Sequence, residues 1–256
     1  MATRDGKGPD LQRSLALLWA GRTPGRRGPR PQLTVEGIAR AAIQVADAEG
    51  LDALSMQRVA TELGYSTMSI YNHIPGKDLL LEVMADVAAA KPPELDDAED
   101  VRDAVRRWAG ALWAGFRTHP WLLRVPLDHT PIGPNHLAWL DRLLRPLLKA
   151  GLAPGEARAA ALHLTAVVRG TAQISLDMNS AYKTDGGLPH TETELARALT
   201  ELVDPGEYPA LAVVHATETT VHSGHEEVSA GALPAELGFG VDRFLDGIEA
   251  WVAKQS

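Results

Sequence analysis

Apolar residues recur along this chain at spacings of three and four. No period-2 run enriched in β-branched residues interrupts them. That pattern predicts helices throughout. The first clear stripe is Ile38, Ala41, Ala42, Val45 and Ala46. Thr34 precedes it as an N-cap, Glu36 lies near the positive end of the helix dipole, and Gly50 follows as a stop. A shorter stripe, Met56, Val59, Ala60 and Leu63, follows a capping Ser55 and ends at Gly64, which supplies a tight turn. Ser66 caps a third helix with Met68, Ile70 and Tyr71 facing inward and Thr67, Ser69, Asn72 and His73 facing outward. Pro75-Gly76 stops it. Lys77 and Asp78 open the next helix, whose stripe is Leu79, Leu80, Val83, Met84 and Val87.

A break follows. Lys91-Pro92-Pro93 and the acidic run from Glu94 to Asp100 interrupt the helices and mark a domain boundary. Beyond it, Val101, Val105, Trp108, Leu112 and Phe116 share a helix face, ending at His119-Pro120. Residues 121–125 read as a short helix and 128–134 as a loop. Asn135 caps a helix that runs to Ala150 and stops at Gly151. Pro154 opens a long helix to about Met178, with Leu162, Thr165, Val168 and Ala172 on one face. Its small residues Ala159, Ala160, Ala161, Ala166 and Gly170 let another helix approach closely. Residues 182–189 read as a polar loop, 191–203 as a helix, 204–209 as a turn and 210–219 as a short helix. Residues 221–234 read as a mobile Gly/Ser/His-rich stretch. The last helix, 235–253, carries Val241, Phe244, Leu245, Ile248, Trp251 and Val252 at amphipathic spacing.

Composition changes this picture in three places. The 256 residues include no cysteine, which excludes disulfides and fits a reducing cytoplasm. No apolar run is long enough to span a bilayer and no secretory signal is evident, so no membrane partner is expected. Net charge is −8, yet its distribution is uneven. Residues 1–33 carry +5, residues 34–90 carry −5, and residues 91–256 carry the remaining −8. The positive charge precedes the short helices. Within it, a patch from Leu15 to Trp19 suggests a nascent helix, and 21–32 reads as a flexible arm because Pro and Gly are too dense for a helix. Arg26, Arg27 and Arg30 on that arm suit insertion into a narrow minor groove.

Two short helices joined by a glycine turn form a unit that lays its second helix in the major groove of DNA. Small polar side chains on one face of that helix suit base edges and phosphates. The DNA-contacting candidates are Thr34, Ser55, Ser66, Thr67, Met68, Ser69, Tyr71, Asn72, His73 and Lys77, with the three arginines of the arm. Lys77 adds a phosphate anchor at a helix N-terminus. The expected organisation is therefore all-α. Residues 1–33 form a flexible basic arm, 34–90 a helix-turn-helix DNA-binding domain, and 100–256 a larger helical domain.

Thr34 to Leu80 resembles the DNA-binding domain of the TetR (tetracycline repressor) family. The resemblance rests on Ser55-x-x-x-Val59-Ala60-x-x-Leu63-Gly64, on Tyr71-x-His73 and on Lys77-x-x-Leu80. The remainder is similar to the tetracycline-repressor type of regulatory domain through His119-Pro120-Trp121, Gly133-Pro134-Asn135, Gly151-Leu152 and the closing FGVDRFLDGIEA. The resemblance implies a homodimeric, ligand-responsive transcriptional repressor of a palindromic double-stranded DNA operator. It places the dimer interface in helices 154–178 and 235–253. The alternatives are a helical enzyme or ligand-binding protein without DNA function, or a regulator of the same type acting as an activator.

The resemblance places the effector pocket among the helices 101–119, 135–150 and 154–178. Candidates there are Trp113, Phe116, Arg117, His136, Trp139, Leu140, His163, Arg169, Gln173 and Asp177. Flat apolar walls with a few orienting polar groups suit a small-molecule effector, and the type of family suggests an aromatic natural product. No cofactor is expected, with magnesium entering only alongside a metal-chelating effector. The His222 to Glu226 stretch has no partner motif for a metal. No phosphate loop, nucleophile elbow or His-Glu-x-x-His motif supports an enzyme.

Overall fold

The computed structural model describes residues 11–19, 33–126, 132–183, 202–214 and 233–255. Among them the structure is helical, with no strand. The helices are α1 (Leu11–Trp19), α2 (Val35–Glu49), α3 (Met56–Leu63), α4 (Thr67–His73), α5 (Lys77–Ala89), α6 (Val101–Thr118), α7 (Pro134–Lys149), α8 (Pro154–Lys183) and α9 (Ala235–Gln255). Short 3-10 turns occupy Leu51–Ala53 and Pro120–Arg124, and residues 209–214 are helical.

Local chemistry sets the ends of the first helices. The Thr34 hydroxyl accepts from the Gly37 amide at 3.0 Å, Ser55 from Arg58 at 3.1 Å and Ser66 from Ser69 at 3.2 Å. Each satisfies an amide that the first turn would otherwise leave without a partner. Gly64 closes α3 in the left-handed region (φ 71°), which a side chain would make costly.

Two apolar cores result. The first unites α2 to α5 around Ile38, Val45, Leu54, Val59, Ile70, Ile74, Leu80 and Met84, all nearly fully buried. The second unites α6, α7, α8 and α9 around Val105, Trp108, Leu143, Leu147, Leu164, Val168 and Leu245. Full burial of one such aliphatic side chain stabilises by about 1.5–3 kcal/mol. Arg102 and Arg106 of α6 pair with Asp242, Asp246 and Glu249 of α9, reinforcing the second core at its rim. No described helix is long and apolar enough to cross a membrane.

Several details differ from the periodicity. Met68 is 68% and Tyr71 44% exposed, so within α4 only Ile70 faces inward. A helix of seven residues has room for one inward residue per turn, and Ile74 after its end supplies the second anchor. Leu162 is 71% exposed, and the buried face of α8 is Ala161, Leu164, Val168 and Ala172. Helix α8 continues to Lys183, past Met178 and into the loop expected from 182. Asn135 does not cap α7. The helix begins after Gly133 with Pro134, and its cap comes from another domain.

The patch near Leu15 is the helix α1. It packs on α5, and Leu17 and Leu18 lie against the first core. The Trp19 indole donates to the Ile132 carbonyl at 3.1 Å, so α1 touches both domains. The arm with Arg26, Arg27 and Arg30, the expected 191–203 helix apart from its last residues, and the His222 to Glu226 stretch lie outside the described residues.

Candidate DNA-reading surface and its joints to the regulatory domain

Helix α4 is held from below by Ile70 and Ile74, leaving Met68, Tyr71 and Asn72 exposed. Thr67, Ser69 and His73 are half-buried or exposed beside them. Three of the polar candidates also bond within the helix. The Ser66 and Ser69 hydroxyls lie 2.8 Å apart, and His73 Nδ1 lies 2.9 Å from the Ser69 carbonyl. A carbonyl only accepts, so Nδ1 carries the proton. In the neutral ring that leaves Nε2 as an acceptor. The outer surface of α4 therefore offers an amide, a phenol, a thioether and an imidazole nitrogen.

The cations of this domain are engaged elsewhere. Residues 34–90 hold Arg40, Arg58 and Lys77 as their only Lys/Arg. Arg40 pairs with Glu36 at 2.7 Å. Arg58 is clamped by Glu49 and Glu62, each at 2.7 Å, and its hydrogen bonds to them raise its pKa further. Lys77 Nζ donates to the Leu54 carbonyl at 2.7 Å. That bond ties the N-terminus of α5 to the start of α3. The phosphate anchor expected at Lys77 thus doubles as an internal tie, and only its remaining two protons point elsewhere.

The acidic balance has a local cause. Three of the eight acids in this segment, Asp47, Asp52 and Asp86, bond to the regulatory domain. Asp86 on α5 is 3% exposed, and its carboxylate accepts from the Asn135 and His136 amides and from His136 Nδ1, all near 3.0 Å. It caps α7 across the domain boundary, where a carboxylate also meets the positive end of the helix dipole. The Asn135 side chain returns a bond to the Asp86 carbonyl at 2.9 Å. A Cβ at Gly133 would collide with the Asp86 carboxyl group, so this joint requires glycine there. The Trp139 indole adds a bond to the Ala89 carbonyl at 2.9 Å.

A second joint forms at α2. One Asp47 carboxylate oxygen accepts from the Trp121 indole at 2.7 Å and from His119 Nδ1 at 2.8 Å. Trp121 follows α6 in sequence yet is 4% exposed inside the first core. Arg124 pairs with Asp52 at 3.1 Å nearby. Sequence reading missed Asp86, Asp47, Trp121 and Gly133 as joint residues. The signals were an acid beside the apolar stripe of α5 and a tryptophan in a turn too short to bury it alone.

The ten effector candidates separate into groups. Trp113 and Phe116 are buried in the second core, and the Arg169 guanidinium lies 5.9 Å from the Phe116 ring. His136 and Trp139 belong to the Asp86 joint, with Trp139 edge-on to Trp108 at 5.8 Å. His163 stacks on Phe244 at 4.5 Å, and Gln173 donates to Asp177 at 2.9 Å. Arg117 and Leu140 are exposed. An open cleft of about 380 Å³ lies between residues 95–104 and the end of α7, and none of the ten lines it. Among the described residues no cluster of three His, Asp or Glu side chains could hold a metal.

Comparison with known proteins covers nearly the whole chain. Residues 38–84 match the family described as bacterial regulatory proteins, tetR family, and residues 92–252 match the tetracyclin repressor-like C-terminal domain. The HTH-type transcriptional repressor DrrR1 of Streptomyces coeruleorubidus is 36% identical over 254 residues, covering 96% of this chain and 88% of that repressor. The Streptomyces coelicolor TetR family protein ActR, solved in complex with actinorhodin, superposes with a TM-score of 0.68 at 25% identity. That match covers 89% of this chain and all of ActR. ActR has also been solved with (S)-DNPA, with a TM-score of 0.64 at 25% identity over 88% of this chain and all of ActR.

Proposed function

This chain belongs to the TetR family of bacterial transcriptional repressors, and from that premise we propose that it holds a two-fold operator as a homodimer until a small-molecule effector releases it. The observation that carries the reading is the solvent-facing side of α4, where Met68, Tyr71 and Asn72 are exposed. Thr34, Ser55 and Ser66 cap the N-termini of α2, α3 and α4, and phosphates bind well at such ends. Because all three cations of the domain already make internal bonds, Arg26, Arg27 and Arg30 supply the electrostatic attraction.

The dimer reading is supported by an unfilled stripe on α8. Leu162 and Ile174 are 71% and 61% exposed, with Ala166 and Gly170 between them. On α9, Phe239 and Trp251 are 68% and 51% exposed, with Gly247 between. Small residues flanked by large apolar ones suit close helix packing against a second copy. Two recognition helices related by a two-fold axis would then enter the DNA about 34–36 Å apart.

The effector reading centres on Phe116 and Arg169, with Trp113 behind them. Arg169 is half-buried, burial lowers its pKa, and no carboxylate pairs with it among the described residues. Such a cation favours an acidic or carbonyl-bearing effector, and the neighbouring rings favour a flat one. Binding is checked by thermal shift with actinorhodin and other aromatic natural products, with and without magnesium. A ligand raises the melting temperature of the wild type and not of Arg169→Met. For the DNA reading, Tyr71→Ala is expected to weaken operator binding about tenfold, within roughly 1–3 kcal/mol, with an unchanged melting curve. Retained gel-shift affinity would sink the α4 assignment.

A further inference from the structure

We propose that Arg169 is a positioning residue through which α8 sets the orientation of the DNA-reading domain, acting by way of the 120–124 turn and Trp121. The reading rests on operator binding as the output. The contacts form an unbroken chain. The Arg169 guanidinium donates to the carbonyls of Leu122 at 3.3 Å, Leu123 at 2.9 Å and Val125 at 3.2 Å. These carbonyls lie at the trailing end of a 3-10 turn, and a cation suits the negative end of that turn. The same turn carries Trp121, whose ring is buried in the first core and whose indole bonds to Asp47. Asp47 lies on α2, the helix that underpins α3 and α5.

The turn cannot fix its own position. It has five residues and no side-chain cap, and its internal bonds run from 3.0 Å (Leu122 to His119) to 3.4 Å (Val125 to Leu122). It is placed from outside, by Arg169 and the burial of Leu123 in the second core on one side, and by Asp47, the exposed Arg124–Asp52 pair and the buried Trp121 ring on the other. A movement of α8 therefore reaches α2 through two hydrogen-bonded contacts and one buried ring. The other joint, at Asp86, runs from α7 to α5 and does not use Arg169. The guanidinium's acceptors at Leu122, Leu123 and Val125 are all neutral carbonyls, so an effector oxygen competing for it would withdraw the grip on the turn. That makes Arg169 the point where ligand and DNA-reading domain would compete for the same donors.

A double-mutant cycle on the full-length protein tests the relay. Arg169→Met and Asp47→Ala remove its two ends, and neither residue touches the other. Two readouts are taken, amide hydrogen exchange across 35–49 and 119–125, and operator affinity by fluorescence anisotropy. Each single variant is expected to speed exchange in both segments and to weaken operator binding about tenfold. The double variant is expected to be no weaker than the worse single, because each cut breaks the same chain. Arg169→Lys should recover part of the loss by reaching one carbonyl. The proposal is overturned if Arg169→Met speeds exchange in 119–125 and leaves 35–49 unchanged, or if the double variant's loss is the product of the two single losses. Should Arg169→Met fail to fold, Arg169→Gln replaces it, since it shortens the side chain, removes the charge and leaves the Asp47 end untouched. Should the wild type bind no operator fragment, the regulator reading fails, and the exchange measurement still decides the relay.

Discussion

The two joints between the domains pair the same chemistry and differ in what surrounds it. Each sets an aspartate of the DNA-reading domain against a histidine of the regulatory domain. Asp86 is 3% exposed and accepts two amides and an imidazole at the start of α7. Asp47 keeps a third of its side chain exposed and accepts two side-chain donors. Removing the first acceptor leaves two part-buried amides and an imidazole without their partner. Removing the second lets water reach His119 through a side chain already a third exposed, although the Trp121 indole stays buried. The Asp86 joint therefore behaves as a fixed pivot, and the Asp47 joint is the one that can be reset at small cost.

The largest expected effects test the pivot. Asp86→Ala should destabilise by about 2–4 kcal/mol, because it leaves part-buried donors unsatisfied. Gly133→Ala should match it, since its Cβ must displace the same carboxyl group. Equilibrium denaturation in urea measures both, and a loss under about 1 kcal/mol for either would end the distinction between pivot and reset point. Trp121→Phe comes next. It keeps an aromatic ring in the first core but gives up part of the indole's volume and one charge-assisted bond, an expected cost of about 1–3 kcal/mol in the same assay. Smallest is Asp52→Asn, which removes the exposed partner of Arg124 and should stay within about 0.5 kcal/mol. A cost near that of Asp86→Ala would move the pivot to the wrong joint.

One prediction bears on function. Replacing Arg26, Arg27 and Arg30 with Gln should flatten the slope of log affinity against log salt by about 0.9 for each phosphate that is no longer neutralised. Deleting residues 1–30 is a less clean test, because it also removes α1 from the surface of α5. An unchanged slope for the triple variant would return the electrostatics to α4 and the helix N-termini.

Much of this protein is legible in its sequence for a physical reason. Caps and stops act over one to four residues, so Thr34, Ser55, Ser66, Gly50 and Gly64 can be assigned from their neighbours, and the structure bears them out. Periodicity finds α2, α3, α5, α6, α7, α8 and α9 to within a few residues, apart from the longer end of α8. It fails at α4, because two turns of helix are too short to give a face. It also misplaces Leu162, since an apolar residue reads as buried whether it meets its own core or is left for a second copy. The family and its repressor class are equally legible, because the spacing from Ser55 to Leu80 is itself a local pattern.

What the sequence could not assign was every function that depends on a distant partner. Asp86 and Asn135 are 49 residues apart, and Asp47 and Trp121 are 74 apart. Lys77 reads as a phosphate anchor alone until its bond to Leu54 is seen, and Arg169 as a ligand contact alone until three carbonyls are found on it. The sequence by itself determined the helices, their caps and the resemblance to a DNA-reading unit, since those rest on patterns within a few residues. Only the tertiary structure decided which charges are engaged between the domains, because a hydrogen bond across the chain leaves no period in the sequence to read.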